Sequence, residues 1–250
     1  MEDKKAGGIG ETLKTLLFAI LIALGVRSFA YEPFNIPSGS MIPTLLVGDY
    51  LFVSKFAYGY SRYSVPLGDR LLGADIFDGR LFGTPPERGD VVVFKLPTDP
   101  SIDYIKRVIG LPGDTIQMRD GRLYINGDMV EREQTEDFRT EDRFGRTVSV
   151  TRYIETLPNG VRHPILENSD EGFLDNTPVF TVPEDHYFMM GDNRDSSQDS
   201  RVQSVVGYVP FENLVGRAEI LWFSLDDASF FEIWKWPTAL RFDRMFTSIE

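Results

Sequence analysis

The hydrophobic pattern of this chain changes character once. Near the start lies TLKTLLFAILIALGVRSFAYEP, whose uncharged core, Thr15 to Val26, is 12 residues long. That core makes about 18 Å of helix against a hydrocarbon layer of about 30 Å. Leu13 to Tyr31 reaches across if Lys14 and Arg27 snorkel toward the two interfaces. Three readings fit this helix: a membrane anchor, a cleaved secretion signal with a small-x-small site at Ser28-Phe29-Ala30, and a buried helix of a soluble core. Phe29, Tyr31 and Phe34 form an aromatic collar that favours the anchor. Lys4, Lys5 and Lys14 against Arg27 place the N-terminus inside. The polar, Gly-rich start predicts a flexible cytoplasmic segment over 1–11 and an anchor helix over 12–31.

Beyond residue 35 the period shortens to that of strands. GDYLFVSKFAYG, GDVVVFKLP, DYIKRVIGLPGD, TIQMRDGRLYINGDMVE, TRYIETLPNGVRHPIL and PVFTVPEDHYFMMGD carry β-branched or aromatic runs between turn residues. Asn126-Gly127 and Asn159-Gly160 read as hairpin turns. Gly-Asp recurs at 48-49, 89-90, 113-114 and 191-192, which reads as repeated turn chemistry rather than a repeat of fixed period. Residues 58–88 read as a long loop and 131–147 as a charged, solvated stretch. The pattern predicts a mainly β fold. One β domain over 32–116 and 178–250 is interrupted by an inserted β subdomain over 117–177, and one N-terminal helix precedes both. The tail is aromatic, and Phe230, Phe231, Trp234 and Trp236 read as cover for the sheet rather than a membrane-facing rim.

Composition narrows the chemistry. The 250 residues carry a net charge of -12, and no basic patch is visible, which argues against nucleic acid. The chain has no cysteine, so disulfides, thiolate nucleophiles and cysteine-bound metals are excluded. Of its two histidines, His163 reads as an exposed strand residue and His186 as a residue beside a turn; no G-x-S-x-G elbow supports either as a base. GDNRDSSQDSR offers Asp195, Ser197 and Asp199 at alternate positions, but it lacks the central glycine of a calcium loop, and Val206 stands where the bidentate Glu belongs. Nucleotide motifs are absent too, so neither metal nor cofactor is expected.

Lysine remains as a base. In DYIKRVIGLPGD, strand alternation places Tyr104, Lys106 and Val108 on one face and Ile105, Arg107 and Ile109 on the other. A lysine in such a run usually faces water. Buried instead, it must fall about 2 to 3 units to work as a base near neutral pH.

PSGSMIPTLLVGD, GDVVVFKLP, YIKRVIGLPGD and GDNRDSSQDSR, in that order and after a hydrophobic segment, resemble the four boxes of bacterial type I signal peptidases. The resemblance implies a single-pass serine endopeptidase of the cytoplasmic membrane, with its catalytic domain outside. It removes signal peptides from exported preproteins after Ala-x-Ala. By position it implies Ser40 as nucleophile, Lys106 as general base, and Ser38 with the Ser40 N–H as oxyanion donors. Ser197 is implied to hydrogen-bond Lys106, with Gly191, Asp192, Arg107, Asp199 and Arg201 in support and Arg107 paired to Asp192. Phe34, Ile36, Leu45, Leu51, Val93, Tyr104 and Ile105 match pocket-lining positions. The partners so implied are preproteins and membrane lipid; no oligomer is implied. Some members carry two N-terminal spans, whereas this chain offers one. Rival readings are a self-cleaving Ser-Lys protease and a non-catalytic, membrane-tethered module that binds extended peptides.

Overall fold

A computed structural model describes residues 8–63, 79–141 and 146–249. Helix α1 (Gly8–Phe29) leads into strands β1 (Tyr31–Asn35), β2 (Asp49–Ser54), β3 (Val91–Leu96) and β4 (Asp99–Gly110). Then come β5 (Thr115–Arg119), β6 (Arg122–Ile125), β7 (Asp128–Met129), β8 (Glu131–Gln134), β9 (Phe138–Glu141), β10 (Thr147–Thr156), β11 (Arg162–Glu167) and β12 (Phe180–Thr181). The chain closes with β13 (His186–Met190), β14 (Val209–Pro210), β15 (Leu214–Ser224), the single turn α2 (Trp236–Ala239) and β16 (Thr247–Ser248). The expected mainly β architecture is what forms.

The large sheet runs β1-β2-β15-β3-β4-β13-β14, with β16 on β15. Two smaller sheets run β11-β10-β8, with β9 also on β10, and β12-β5-β6-β7. Strand β1 is an edge. Strand β13 pairs with β4 only between Arg107 and Gly110, so the preceding residues of β4 keep their other backbone edge free of β13. Both edges border the site described below.

Turn chemistry explains much of the layout. Asn126 and Gly127 both adopt positive φ (56° and 90°) between β6 and β7, as a tight hairpin of that sequence requires. Asp120-Gly121, at 47° and 68°, makes a second such turn between β5 and β6. Of the Gly-Asp pairs at 48-49, 89-90, 113-114 and 191-192, the first three share one device. Gly48, Gly89 and Gly113 take positive φ, and the following aspartates accept the amide three residues back: Leu46 to Asp49, Glu87 to Asp90 and Leu111 to Asp114. The fourth pair, Gly191-Asp192, does neither, and its aspartate is used elsewhere.

Several expectations are corrected. His163 is fully buried rather than exposed, because β11 lies against the segment after β13: Leu166 N–H donates to Asp192 O, and Leu166 bridges Asn193. The charged stretch 131–147 does not interrupt the strands: 131–134 and 138–141 pair on β10 as β8 and β9, and the described side chains are mostly exposed; 142–145 lie outside the described residues. The long loop is partly ordered, with Tyr60 bridging Leu81, while 64–78 lie outside the described residues. In the tail, Phe230 and Trp236 pack with Phe223 and Leu225, but Phe231 and Trp234 are 83% and 72% exposed. Among the described residues no helix is long and apolar enough to cross a membrane. Helix α1 carries Glu11, Lys14 and Arg27, and these shorten its uncharged stretch.

Candidate active site

Ser40 sits in a single 3-10 turn, Gly39–Met41, entered from the extended residue Ser38. The turn is gripped from the segment after β13. Asn193 donates its side-chain amide to Gly39 O at 3.0 Å and its backbone N–H to Ser40 O at 3.1 Å. Beneath it, Met41 and Leu45 are buried with Leu51, Val53 and Val93 in one apolar cluster. That packing sets the floor of the turn.

Lys106 reaches Ser40 from β4. Its Nζ lies 2.7 Å from Ser40 Oγ and 2.8 Å from Ile105 O, and 5.2 Å from the centre of the Tyr104 ring. Lys106 is 3% exposed. Burial pulls the amine down to about 8, against the opposing charges of Asp199 and Asp192. When the amine is charged, it donates to Ser40. When it is neutral, its lone pair is placed to receive the hydroxyl proton.

One residue on, Arg107 points to the opposite face of the strand. Its Nε and one terminal nitrogen fork onto the two Asp192 oxygens at 2.9 and 2.8 Å, both side chains at zero exposure. Its other nitrogen donates to Gly89 O at 2.7 Å. Thr44 also donates to the Asp192 carboxylate. Burial alone would raise the Asp192 carboxyl, but Arg107 and then His163 hold it well below the usual carboxylate range. The expected Arg107–Asp192 pair is therefore present in its strongest, bidentate form.

Asp199 is held the same way. Arg201 forks onto it at 2.9 Å through both contacts and passes a further hydrogen bond to Arg194 O, while the Gly191 N–H donates to Asp199 Oδ2 at 3.0 Å. Gly191 needs to be glycine for space rather than for a left-handed backbone. A Cβ there would stand 2.2 Å from Ser197 Oγ and 2.5 Å from Ser40 O.

Ser197 departs from expectation. Its hydroxyl is buried beside Asp199 without hydrogen-bond geometry to any partner, and the Lys106 amine bonds Ser40 and Ile105 instead. Ser38 stands on the exposed rim, its Oγ 3.5 Å from Ser40 Oγ.

A groove of about 560 Å³ opens over the pair. Phe34, Ile36, Val93, Tyr104 and Ile105 line it as expected, joined by Asp103, Ser196 and Gln198. Leu45 and Leu51 do not line it. Both are completely buried in the cluster beneath, because strand alternation turns Leu51 inward and Leu45 packs under the Ser40 turn.

Sequence reasoning missed a buried chain of ionisable side chains behind the site. His163 ring nitrogens lie 3.3 Å from Asp192 and 3.2 Å from Glu155, and Arg194 forks onto Glu155 at 2.9 and 2.5 Å. Asn193 and Arg194 were visible within GDNRDSSQDSR and Thr44 within PSGSMIPTLLVGD; His163 and Glu155 carried no local signal.

The lowered lysine sets a stability test. Unfolded, Lys106 titrates near 10.5, and folded near 8. Between these values the unfolded state binds more protons, so stability rises with pH across that window, and below it the full penalty applies. Lys106→Met removes a cost of up to about 3 kcal/mol at pH 7. Urea denaturation is expected to show a stabilised variant at pH 7 whose advantage shrinks toward pH 10.5. An advantage independent of pH would mean that packing, not charge, is responsible.

The family model described as "Signal peptidase, peptidase S26" matches residues 9–223. The chain is 45% identical over 222 residues to signal peptidase I of Rickettsia typhi, covering 86% of this chain and 81% of that protein. To signal peptidase I of Rickettsia canadensis it is 46% identical over 217 residues, covering 84% and 78%. A crystal structure of a signal peptidase I from Enterococcus faecalis V583 is 29% identical and covers 54% of this chain and 97% of that one, with a TM-score of 0.31. By the family match and the identity along most of its length, this chain belongs to the signal peptidase family, peptidase S26, and is a serine endopeptidase.

Proposed function

We propose that the chain cleaves N-terminal signal peptides from exported preproteins, with Ser40 as nucleophile and the neutral Lys106 amine as general base. The observation that carries this reading is the 2.7 Å contact between Lys106 Nζ and Ser40 Oγ in a buried site. Burial lowers the lysine to about 8, so at pH 7 about a tenth of it is neutral. Ser40 Oγ attacks the scissile carbonyl as its proton passes to Lys106, and the ammonium then protonates the leaving amine. Ser38 Oγ and the Ser40 N–H stabilise the oxyanion. Water, activated by the same amine, releases the acyl group from Ser40.

Substrate shape follows from the groove. The free edges of β1 and of the first part of β4 invite an extended peptide as an added strand. Phe34, Ile36, Val93, Tyr104 and Ile105 fill the floor with bulk and leave shallow, apolar pockets. Small side chains in an Ala-x-Ala pattern fit such pockets.

Helix α1 is read as the anchor that brings this groove to a membrane, with the catalytic domain on the outer side. Leu13, Leu16, Leu17, Phe18, Leu21, Ile22 and Leu24 are all exposed on it, and no other element among the described residues covers them. Its only charges, Glu11, Lys14 and Arg27, stand toward its two ends, where snorkelling carries them to the interfaces. Lys55, buried against Glu32 at 2.8 Å and reaching Arg27 O at 3.4 Å, ties the helix end to the sheet.

The deciding experiment is cleavage of a preprotein by the detergent-solubilised chain, with the product's new N-terminus sequenced. A cut directly after Ala-x-Ala is expected, with a loss of about 10⁴-fold or more in Ser40→Ala and in Lys106→Ala. The wild-type rate should rise with pH and level off above about 8 as the amine becomes neutral. Cleavage that survives in Lys106→Ala, or an acid optimum, would remove lysine as the base. Ser38→Ala is expected to lower kcat by about 10² to 10³ with KM little changed; an unchanged kcat would leave the oxyanion to backbone alone. Carbonate extraction tests the anchor: the wild type should stay with the membrane, and a variant with Leu17, Leu21 and Leu24 replaced by Asp should leave it. Equal extraction of both would move membrane contact off α1.

A further inference from the structure

Behind the groove lies a group of side chains that the peptidase chemistry does not use. Glu167 ends β11, Asp175 stands in the segment before β12, and Asp195 is in the turn Arg194–Ser196. One carboxylate oxygen from each lies within 4.8 Å of the other two. Two of the three are not surface acids. The Glu167 side chain is 2% exposed and neither of its oxygens has a hydrogen-bond partner; Asp175 is 1% exposed and its Oδ1 has none. Buried carboxylate oxygens without donors are costly and uncommon in a folded protein.

The nearby guanidinium groups offset that cost only through their charge and donate no hydrogen bond to the orphaned oxygens. Arg132 comes to 3.7 Å of Glu167, but its nitrogens donate to Gly121 O and Asp170. Arg194 forks onto Glu155, and Arg201 onto Asp199. Each bonds an acceptor outside the trio, and the remaining Arg194 Nε and one terminal Arg201 nitrogen bond no acceptor, in the trio or elsewhere.

The backbone shapes the trio as a cradle. Gly172 N–H donates to Asp175 Oδ2, and the amides of Asn168 and Ser169 donate to Asp195 Oδ2 at 2.7 and 3.2 Å. One oxygen of each aspartate is thereby fixed, and the other takes none of these bonds. At Gly172 a Cβ would stand 3.0 Å from Asp175 Oδ2 and 3.1 Å from Asp195 Oδ1, so any side chain there would crowd the space between the two carboxylates.

We infer that Glu167, Asp175 and Asp195 bind a divalent cation, calcium fitting best, which fastens the 168–175 segment to the turn beside the groove. The donors are all hard oxygens with no histidine or cysteine, which selects calcium or magnesium over the transition metals. Ligands on opposite sides of calcium lie about 4.6 to 5.2 Å apart, and those of magnesium about 4.0 to 4.2 Å. A spread of up to 4.8 Å is spanned by calcium with less movement. Asp195 is exposed, so water completes the shell from that side. The ion is structural and takes no part in bond cleavage. The run GDNRDSSQDSR is thus no calcium loop by itself; it lends Asp195 to a site whose other members come from earlier in the chain.

Thermal unfolding of the full chain in detergent tests this, after chelator treatment and with calcium, magnesium or sodium chloride at equal ionic strength. A saturable rise in melting temperature is expected with calcium, with a midpoint of about 10⁻⁴ to 10⁻³ M. Magnesium should give less and sodium none. Glu167→Gln should abolish the calcium response and melt no lower than the wild type in chelator, since it removes an uncompensated charge. Asp195→Asn keeps an oxygen for the Asn168 and Ser169 amides and should weaken the midpoint at least tenfold, which keeps the test alive if the buried variant fails to fold. No calcium-specific rise in the wild type, or an equal rise in both variants, would overturn the site. Glu167 would then be a neutral buried acid, its carboxyl pushed up by burial to about 8.

Discussion

The site hangs on one ion pair. Arg107 and Lys106 are neighbours on β4, so whatever fixes the one aims the other to the opposite face. The fork of Arg107 onto Asp192 locks β4 against the segment after β13, and Thr44 and Gly89 O are among its further partners. That same segment holds the Ser40 turn through Asn193. The distance between Lys106 Nζ and Ser40 Oγ is therefore set by contacts that neither atom makes. A slip of β4 by one residue would turn the amine away from the serine altogether. Breaking such a buried pair by removing one partner costs about 3 to 5 kcal/mol, because the other charge is left alone.

Keeping the amine buried poses an electrostatic problem, and the arginines solve it. Asp192 and Asp199 both lie near enough to Lys106 to favour its charged form. Each is already forked by an arginine, Arg107 or Arg201, and sits at zero exposure. Their charge is largely spent on those partners, so desolvation prevails at Lys106. His163, Glu155 and Arg194 continue the polar network one layer further back and join the site to β10 and β11.

The Gly-Asp pairs at 48-49, 89-90, 113-114 and 191-192 show where local reading succeeds and where it stops. At 48-49, 89-90 and 113-114 a left-handed glycine and an aspartate bonded three residues back make a turn whose defining bond is local. Those turns, the Asn126-Gly127 hairpin and the alternation in β3 and β4 were legible from sequence because their causes lie within a few residues. Gly191-Asp192 has the same letters and a different cause. Its glycine is required by Ser197 and the Ser40 carbonyl, and its aspartate by Arg107, all brought in by the fold.

Alternation and turn residues in the chain itself decided the β character, the position of the strands, and the opposite facing of Lys106 and Arg107. The order of the boxes carried the family, and with it the pairing of Ser40 to Lys106 and of Arg107 to Asp192. Tertiary structure alone decided the rest. It put Leu45 and Leu51 under the groove instead of in it, buried His163 between Glu155 and Asp192, and left Ser197 without the lysine it was expected to bond. The reason is one of range. Dihedral preference and periodicity act over a handful of residues, whereas burial and the partner of a charge depend on segments that meet only when the sheets close.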